Sequence, residues 1–182
     1  MPDVKGIEAG WLTNARQVPS PNFDPRPSAE VSLLVIHSIS LPPGRYGGPW
    51  IDSFFCNELD ISADPFFEEV KDLKVSAHFL IRRDGELVQY VSTGDRAWHA
   101  GLSCFEGRDR CNDFSIGIEL EGCDNEPFSE AQYQQLQDLV LLLGSYYPAL
   151  TSNRIVGHCD IAPGRKTDPG PGFDWARING LL

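Results

Sequence analysis

Three residues of this sequence are of the types that bind a transition-metal ion in a hydrolytic enzyme. His37 and His158 each stand at the end of an apolar segment with the character of a β-strand, and Asp168 follows in the loop beyond His158. Zn²⁺ accepts imidazole and carboxylate ligands, and a catalytic zinc site needs three of them with its fourth position open to water. The spacing is equally compatible with histidines bonded to backbone carbonyls and an aspartate that caps a loop.

Two further charged residues could act beside such an ion. Lys166 precedes Asp168 in a segment rich in proline and glycine, whose restricted backbone could hold the ammonium group near an oxyanion. Glu119 stands in the middle of an alternating segment and could serve as a general base for metal-activated water. The alternation alone also fits a solvated strand face, because exposed faces of antiparallel sheets are ordinarily polar.

Two other chemistries would use overlapping residues. Glu119 and Glu121 share one face of a predicted strand, roughly 7 Å apart, which is within the span of an inverting glycosidase pair. Such pairs usually come from elements that face each other across a cleft, so the metal site is favoured. A non-haem iron oxygenase also uses two histidines and a carboxylate, but the close His-x-Asp pairing is missing. We expect His78 to be packed or hydrogen-bonded rather than a ligand.

The elements that must position these residues begin with strands. The run VSLLVI, residues 31–36, is continuously apolar and predicts a strand covered on both faces that ends at His37. The segments SAHFLIRR and ELVQYV flank Asp84-Gly85, which predicts a hairpin with a type I′ turn. Residues 113–122, DFSIGIELEG, alternate strictly, so one face is predicted to be core and the other to carry the acids.

Helical signals lie between and after these strands. Ser129 and Gln132 form a capping-box pattern that opens a helix to about Tyr146, with apolar residues at helical spacing. The residues after His158 are predicted to run on as a loop. The mixture of strands and helices predicts an α/β (α+β) fold with a central mixed β-sheet flanked by helices. We expect residues 1–182 to form a single domain, with residues 1–30 as an extended arm because of the prolines in PSPNFDPRP.

Composition and charge limit the partners and the compartment. The chain has 182 residues and a formal charge of −11, a field that repels nucleic acid and anionic membranes. The first twenty residues lack the pattern of a secretory leader, and no stretch reaches the length of a membrane span. Five cysteines without a CxxC pair fit reduced thiols. We therefore expect a cytoplasmic protein, a monomer, that binds neither nucleic acid nor membranes.

Taken together, the motifs resemble the AmpD family of cytosolic anhydro-N-acetylmuramyl-L-alanine amidases. The segments that carry the resemblance are VIHSISLPPG, GGPWID, VSAHFLIRRDGELVQYV, RAWHAG, GRDRCNDFSIGIELEG and GHCDIAPGRKTDPGP. They cover nearly the whole chain. The resemblance implies the fold of phage-type amidases and peptidoglycan recognition proteins, zinc in a surface groove, and cleavage of the amide between the lactyl group of muramic acid and L-alanine. It also implies a role in recycling imported muropeptides.

The resemblance carries over residue by residue onto this sequence. It implies His37, His158 and Asp168 as zinc ligands, Glu119 as the base and Lys166 as the oxyanion partner.

Contacts to the anhydromuropeptide substrate are expected from four further residues. Trp98 beside arginines could bind sugar, although it could equally anchor its own loop. The substrate's carboxylates require local positive charge on an acidic protein, for which Lys74 and Arg110 are candidates with Lys166. Ser38 stands where relatives are expected to carry Asn. The leading alternative to an enzyme is a muropeptide-binding receptor module that does not catalyse, against which the intact ligand set argues.

Overall fold

The structure is a computed structural model and describes residues 6–182. Its strands are β1 (Ile7–Glu8), β2 (Trp11–Leu12), β3 (Arg16–Gln17), β4 (Phe23–Pro25), β5 (Leu33–Ile39), β6 (Phe79–Ile81), β7 (Leu87–Gln89), β8 (Asp95–Ala97), β9 (Cys104–Phe105), β10 (Arg108–Asp109), β11 (Ser115–Glu121) and β12 (Ile155–Gly157). Its α-helices are α1 (Trp50–Phe55), α2 (Phe67–Val70), α3 (Glu130–Tyr146) and α4 (His158–Ile161). Short 3-10 turns lie at Cys111–Asp113, Ser152–Arg154 and Trp175–Arg177.

Six strands form one mixed sheet in the order β12-β5-β11-β6-β7-β3. The pairs β12–β5, β5–β11, β11–β6 and β7–β3 are parallel, and only the pair β6–β7 of this sheet is antiparallel. In the central pair, the Cα of Glu119 lies opposite that of His37. The predicted fold class, a mixed sheet with flanking helices, is confirmed.

Both faces of the central strands are buried, as the apolar run 31–36 predicted. Leu34 and Ile36 belong to the core beneath α3, while Leu33 and Val35 pack on the opposite side against a smaller cluster. The strand does not end at His37 as predicted but continues to Ile39. Pairing with the seven-residue β11 carries it past the apolar run, because backbone hydrogen bonds do not depend on side-chain polarity.

The acidic face of β11 is not a solvated surface. Every residue from Ser115 to Glu121 is buried, including both glutamates. The alternating pattern predicts the strand correctly. A solvated polar face is typical of antiparallel sheets, however, and β11 is parallel to both of its neighbours. Parallel strands are covered on both faces, so polar residues there must find partners or perform a task.

Two local predictions differ from the structure. In the hairpin, the amide of Gly85 donates to Arg82 O at 2.9 Å and only Gly85, not Asp84, has a positive φ of +90°. This is a three-residue loop with glycine in the left-handed position, not a type I′ turn. After β12 the chain turns into the short helix α4 instead of a loop, because Asp160 Oδ2 accepts the amide of Gly157 at 2.7 Å.

The capping box of α3 is confirmed, since the Ser129 hydroxyl accepts the Gln132 amide and the Gln132 side chain accepts the Ser129 amide. The helix packs its buried residues against the sheet. No helix within residues 6–182 has the length and apolarity needed to cross a bilayer.

The N-terminal arm adds short strands rather than a separate layer, and residues 1–5 of the predicted arm lie outside the described residues. Within it, β3 joins the sheet edge beside β7 and β4 pairs with β8. Arg26 fixes the arm by donating to the carbonyls of Thr93 (3.2 Å), Asn112 (3.1 Å) and Ser115 (2.8 Å). Its guanidinium is held by backbone oxygens, so the arm is tied to the strand that carries Glu119.

Candidate metal centre

A cleft of about 520 Å³ opens at the carboxyl ends of the parallel strands. His37 comes from the second half of β5, Glu119 from the second half of β11, and His158 directly follows β12. Ligands of open parallel sheets bind at this end of the strands, because all the strand-to-helix loops gather there. The volume is that of an ordinary small-molecule site.

The two histidines and the loop aspartate converge on one point. The Nδ1 atoms of His37 and His158 are 3.0 Å apart, and Asp168 Oδ2 lies 3.0 Å from the first and 3.1 Å from the second. Ligands at the usual zinc distances in a tetrahedral site lie about 3.3 Å from one another. The three atoms therefore form one face of a tetrahedron of nearly the right size for a small cation.

The backbone holds Asp168 in this place. The amide of Cys159 in α4 donates to Asp168 O at 3.0 Å, and the amide of Lys166 donates to Ala162 O at 3.0 Å. The loop is thus folded back onto the helical turn that follows His158. This explains how a carboxylate from a loop reaches the strand ends.

Each imidazole uses its second nitrogen for a different contact. Nε2 of His158 lies 3.1 Å from Ala100 O, a carbonyl that also accepts from Arg165. Nε2 of His37 lies 2.9 Å from Nδ1 of a further imidazole, His99. Such contacts orient metal-binding histidines and fix their tautomers.

The electrostatics of the triangle suit a cation. Burial lowers the pKa of His37 to about 4, so this ring is neutral near pH 7. Burial opposes ionisation of Asp168, but the close approach of His158 and His37 to its Oδ2 outweighs burial and lowers the pKa of its carboxyl. A neutral imidazole with a free nitrogen beside an ionised carboxylate is the state that a divalent metal requires of its ligands.

Glu119 faces the same cleft with a buried carboxylate. Its Oε2 has no hydrogen-bond partner among residues 6–182, and it is the only buried side-chain polar atom of that part of the chain in this condition. Burial raises the pKa of Glu119 well above its ordinary value, the charge of Asp168 raises it further, and Lys166 lowers it. An unpartnered carboxylate in a cleft is typical of an acid–base group rather than of a structural one.

Glu121, two residues along the same face, is occupied by structural contacts. Its Oε1 accepts the amide of Gly47 at 2.6 Å and lies 3.4 Å from an Nη of Arg82, while Oε2 accepts the amide of Arg83 at 3.2 Å. A carboxylate satisfied in this way anchors loops, which disfavours a glycosidase that pairs Glu121 with Glu119.

The remaining predicted site residues lie in two groups. Lys166, Ser38 and Trp98 line the cleft, and Trp98 also donates from Nε1 to Asp24 at 3.2 Å. Lys74 is exposed and is absent from the cleft lining, while Arg110 lines a separate cavity and pairs with Asp113. Contacts of these residues to a substrate stay predictions.

Sequence reasoning missed two residues that support the triangle. Asp124 accepts hydrogen bonds from the hydroxyls of Ser38 and Thr167, which are neighbours of His37 and Asp168 in the chain. His99 contacts His37 directly, although the sequence singled out only its neighbour Trp98 as a contact residue. No local spacing signals either contact, since the partners are more than forty residues apart.

Known proteins share both this sequence and this fold. The family model described as N-acetylmuramoyl-L-alanine amidase matches residues 27–171. A protein of Escherichia coli (strain K12), 1,6-anhydro-N-acetylmuramyl-L-alanine amidase AmpD, is 60% identical over 177 residues, which are 97% of this chain and 96% of that protein. A crystal structure of a selenomethionine AmpD derivative matches with a TM-score of 0.93 and 58% identity over 97% of this chain and 98% of that one.

A further solved structure contains a substrate. It is the complex of the N-acetylmuramyl-L-alanine amidase AmiD from E. coli with anhydro-N-acetylmuramic acid-L-Ala-D-gamma-Glu-L-Lys. The match has a TM-score of 0.61 and 29% identity, and it covers 96% of this chain and 64% of that one.

Proposed function

This chain belongs to the N-acetylmuramoyl-L-alanine amidase family, and from that membership we propose that it is a zinc enzyme that cleaves 1,6-anhydromuropeptides. The bond broken is the amide between the lactyl group of the anhydromuramic acid and L-alanine. The observation that carries the proposal is the triangle of His37, His158 and Asp168 at the cleft that also holds the unpartnered Glu119 carboxylate.

The donor set favours zinc among the common metals. Two imidazole nitrogens and one carboxylate oxygen are a ligand combination of catalytic zinc sites, and all three residues line the cleft, where water and substrate would reach the ion. Zinc held by these three residues would polarise the amide carbonyl and lower the pKa of water at its open position. Glu119 and Lys166, which also line the cleft, would act with it.

Glu119 is the proposed base. Because no group in residues 6–182 hydrogen-bonds to its Oε2, the carboxylate is free to take a proton from the attacking water. Burial that raises its pKa strengthens it as a base and lets it hold the proton until the tetrahedral intermediate collapses. Glu119 then delivers that proton to the departing nitrogen of L-alanine, so the free amine and the lactyl carboxylate leave.

Lys166 is the proposed oxyanion partner. Its side chain lines the cleft, and its backbone is fixed by the turn that holds Asp168. A charge held in place before the reaction stabilises the oxyanion without the cost of reorientation.

Substrate contacts are proposed for four residues. Ser38 and Trp98 line the cleft and would contact the substrate beside the reacting amide. Lys74 and Arg110 are exposed cations that would attract the carboxylates of the stem peptide from outside the cleft lining. Local attraction of this kind matters because the chain as a whole carries a charge of −11.

The cellular role proposed is muropeptide recycling in the cytoplasm. The name of the 60% identical relative specifies the 1,6-anhydro sugar, and all five cysteines of this chain are free thiols, as a reducing compartment favours. We propose further that residues 1–182 act as one domain and as a monomer, which light scattering of the purified protein would test.

Product analysis tests the proposed reaction. Purified protein is incubated with anhydro-N-acetylmuramyl-peptide, and the products are identified by mass spectrometry alongside metal analysis. The wild type should contain about one zinc per chain and release free peptide, while Glu119→Gln should bind zinc and lose turnover by about 10²-fold or more. Glu58→Gln, an exposed carboxylate change outside the cleft lining, is the matched control.

Other outcomes would contradict the proposal in distinguishable ways. Cleavage within the sugar would indicate a glycosidase, and dependence on iron would indicate oxygenase chemistry. Tight binding of the muropeptide by an inactive, metal-free protein would indicate a receptor. Full activity of Glu119→Gln would remove Glu119 from the mechanism.

A further inference from the structure

His99 connects the metal triangle to the centre of the sheet. Its Nδ1 lies 2.9 Å from Nε2 of His37, and its Nε2 lies 3.1 Å from Oγ of Ser115, a fully buried residue at the start of β11. The His37 and His99 rings meet edge to face with centroids 5.0 Å apart. We propose that His99, anchored by Ser115, is a positioning residue that holds His37 with its proton on Nε2, so that the lone pair of Nδ1 faces the metal. This inference rests on the proposed metal site.

The need for such a device follows from a comparison with His158. Nε2 of His158 faces the carbonyl of Ala100, which can only accept, so this contact places the proton on Nε2 and leaves Nδ1 free. Within residues 6–182, Nε2 of His37 has no such carbonyl beside it. Its partner is an imidazole nitrogen, which accepts in one tautomer and donates in the other.

Ser115 supplies the second half of the arrangement. When the Ser115 oxygen accepts from Nε2 of His99, Nδ1 of that ring is unprotonated and accepts from His37. The chain of donors then runs from His37 to His99 to Ser115, and both metal-facing nitrogens of the triangle are free of protons. Because the acceptor for His37 is the neutral ring of His99, Asp168 supplies the one negative charge of the proposed metal site. A carboxylate in the place of His99 would add a second negative charge beside it.

The position of the His99 ring is fixed sterically as well. A Cβ added to Gly117 would lie 2.4 Å from Cγ of His99, so the ring occupies the space that a side chain on β11 would fill. The amides of His99 and Ala100 both donate to Oδ1 of Asn112, at 3.2 and 2.8 Å. The ring and its backbone are therefore held from two sides.

Zinc affinity, measured by competition with a chromophoric chelator near neutral pH, tests the assignment. His99→Phe keeps an aromatic ring but removes the acceptor, and it should weaken zinc binding by about 10- to 100-fold. His99→Asn, which can return an acceptor near the position of Nδ1, should recover part of that loss. Ser115→Ala should weaken binding in the same direction by a smaller factor.

His78→Phe is the matched control. His78 is also buried, and its ring lies 5.8 Å from that of His99. Its hydrogen bonds go to Gly117, Asp95 and Arg26 rather than to a residue of the metal triangle. This variant should lose stability but keep zinc affinity within about threefold of the wild type. Equal losses of zinc affinity in both Phe variants would contradict a specific role for His99.

A second test uses only the wild-type protein and so does not depend on the folding of any variant. Long-range ¹H–¹⁵N correlation spectra of the zinc-loaded protein should show His37 and His99 both protonated on Nε2 and not on Nδ1. A proton on Nδ1 of His99 would overturn the inference, as would a folded His99→Phe protein that binds zinc as tightly as the wild type. If the wild type itself binds no zinc, the proposed function fails as well; if it binds one zinc and only these results differ, the inference alone fails.

Discussion

Gly117→Ala is a small change with a large expected effect, because the methyl group would enter the space of the His99 ring. The added Cβ would lie 2.4 Å from Cγ, 2.6 Å from Nδ1 and 2.7 Å from Cδ2 of His99. To reach ordinary contact distance the ring must retreat by about 1 Å. A ring bonded through both nitrogens, to His37 at 2.9 Å and to Ser115 at 3.1 Å, cannot make that shift without losing at least one bond.

The expected cost combines strain and a lost hydrogen bond. Overpacking of a buried site costs about 1–3 kcal/mol and a hydrogen bond contributes about 0.5–1.5 kcal/mol, while alanine regains about 0.5–1 kcal/mol over glycine within a strand. We therefore expect Gly117→Ala to lower the free energy of unfolding of the zinc-free protein by about 0.5–4 kcal/mol, with a central value of about 2 kcal/mol, and to weaken zinc binding as well. Urea titration followed by circular dichroism and chelator competition measure the two quantities.

Gly94→Ala is the control for this prediction. Gly94 has no positive φ, and a Cβ there would make an ordinary contact at 3.5 Å to the Ser92 hydroxyl, so its stability should change by no more than about 0.5 kcal/mol. If Gly117→Ala unfolds at the same urea concentration as Gly94→Ala and keeps wild-type zinc affinity, the argument for a sterically fixed His99 is refuted.

Three further predictions concern the oxyanion, the pH dependence of folding and the N-terminal arm. Lys166→Ala should lower kcat by about 10²-fold or more without changing Tm, because the side chain is exposed and acts on the reaction; kcat near the wild-type value would exclude the oxyanion role. Burial and the nearby charge of Arg26 lower the pKa of His78 to about 3, so below its unfolded value of about 6.5 only the unfolded chain takes up the proton. The contribution of neutral His78 to the free energy of unfolding is therefore fully present above pH ~6.5. It should fall by about 1.4 kcal/mol per pH unit as the pH drops toward 3, and urea titrations of His78→Phe should lack this fall. Arg26→Met should cost about 2–4 kcal/mol in urea unfolding, since it leaves several carbonyls without a donor, while the exposed Arg45→Met should cost under about 0.5 kcal/mol; equal midpoints would contradict this.

Much of the fold could be predicted from the sequence because the apolar runs and capping residues that start and end its elements lie within a few residues of one another. The apolar run 31–36 indicated a doubly covered strand, and the capping box at Ser129 located the start of α3 within one residue. The hairpin was found, but its loop type was not, since Asp-Gly also fits a loop in which only the glycine needs a positive φ. The turn α4 was missed because four residues followed by proline and glycine carry too little helical signal.

The residue types of the candidate site could be predicted from the sequence, but the contacts between their side chains could not. Residue chemistry and the resemblance predict that His37, His158 and Asp168 come together, and the structure brings their side chains within 3.1 Å of one another. Alternation could not tell whether the face of Glu119 meets solvent or a cleft, because what covers a strand comes from distant parts of the chain. His99 and His37 are 62 residues apart in the sequence, so no local pattern predicts their contact. The one related sequence feature is Gly117, whose missing side chain leaves room for the His99 ring.

The register between β5 and β11 has a consequence for how this chain can vary. Since Glu119 lies opposite His37 on a neighbouring parallel strand, the spacing of the peptide ladder sets their separation, about 4.8 Å between strands. Insertions in residues 40–49, where Ser40 and Leu41 line the cleft, would leave that ladder untouched. The loop that borders the cleft can therefore change in length and shape while the separation of His37 and Glu119 stays constant.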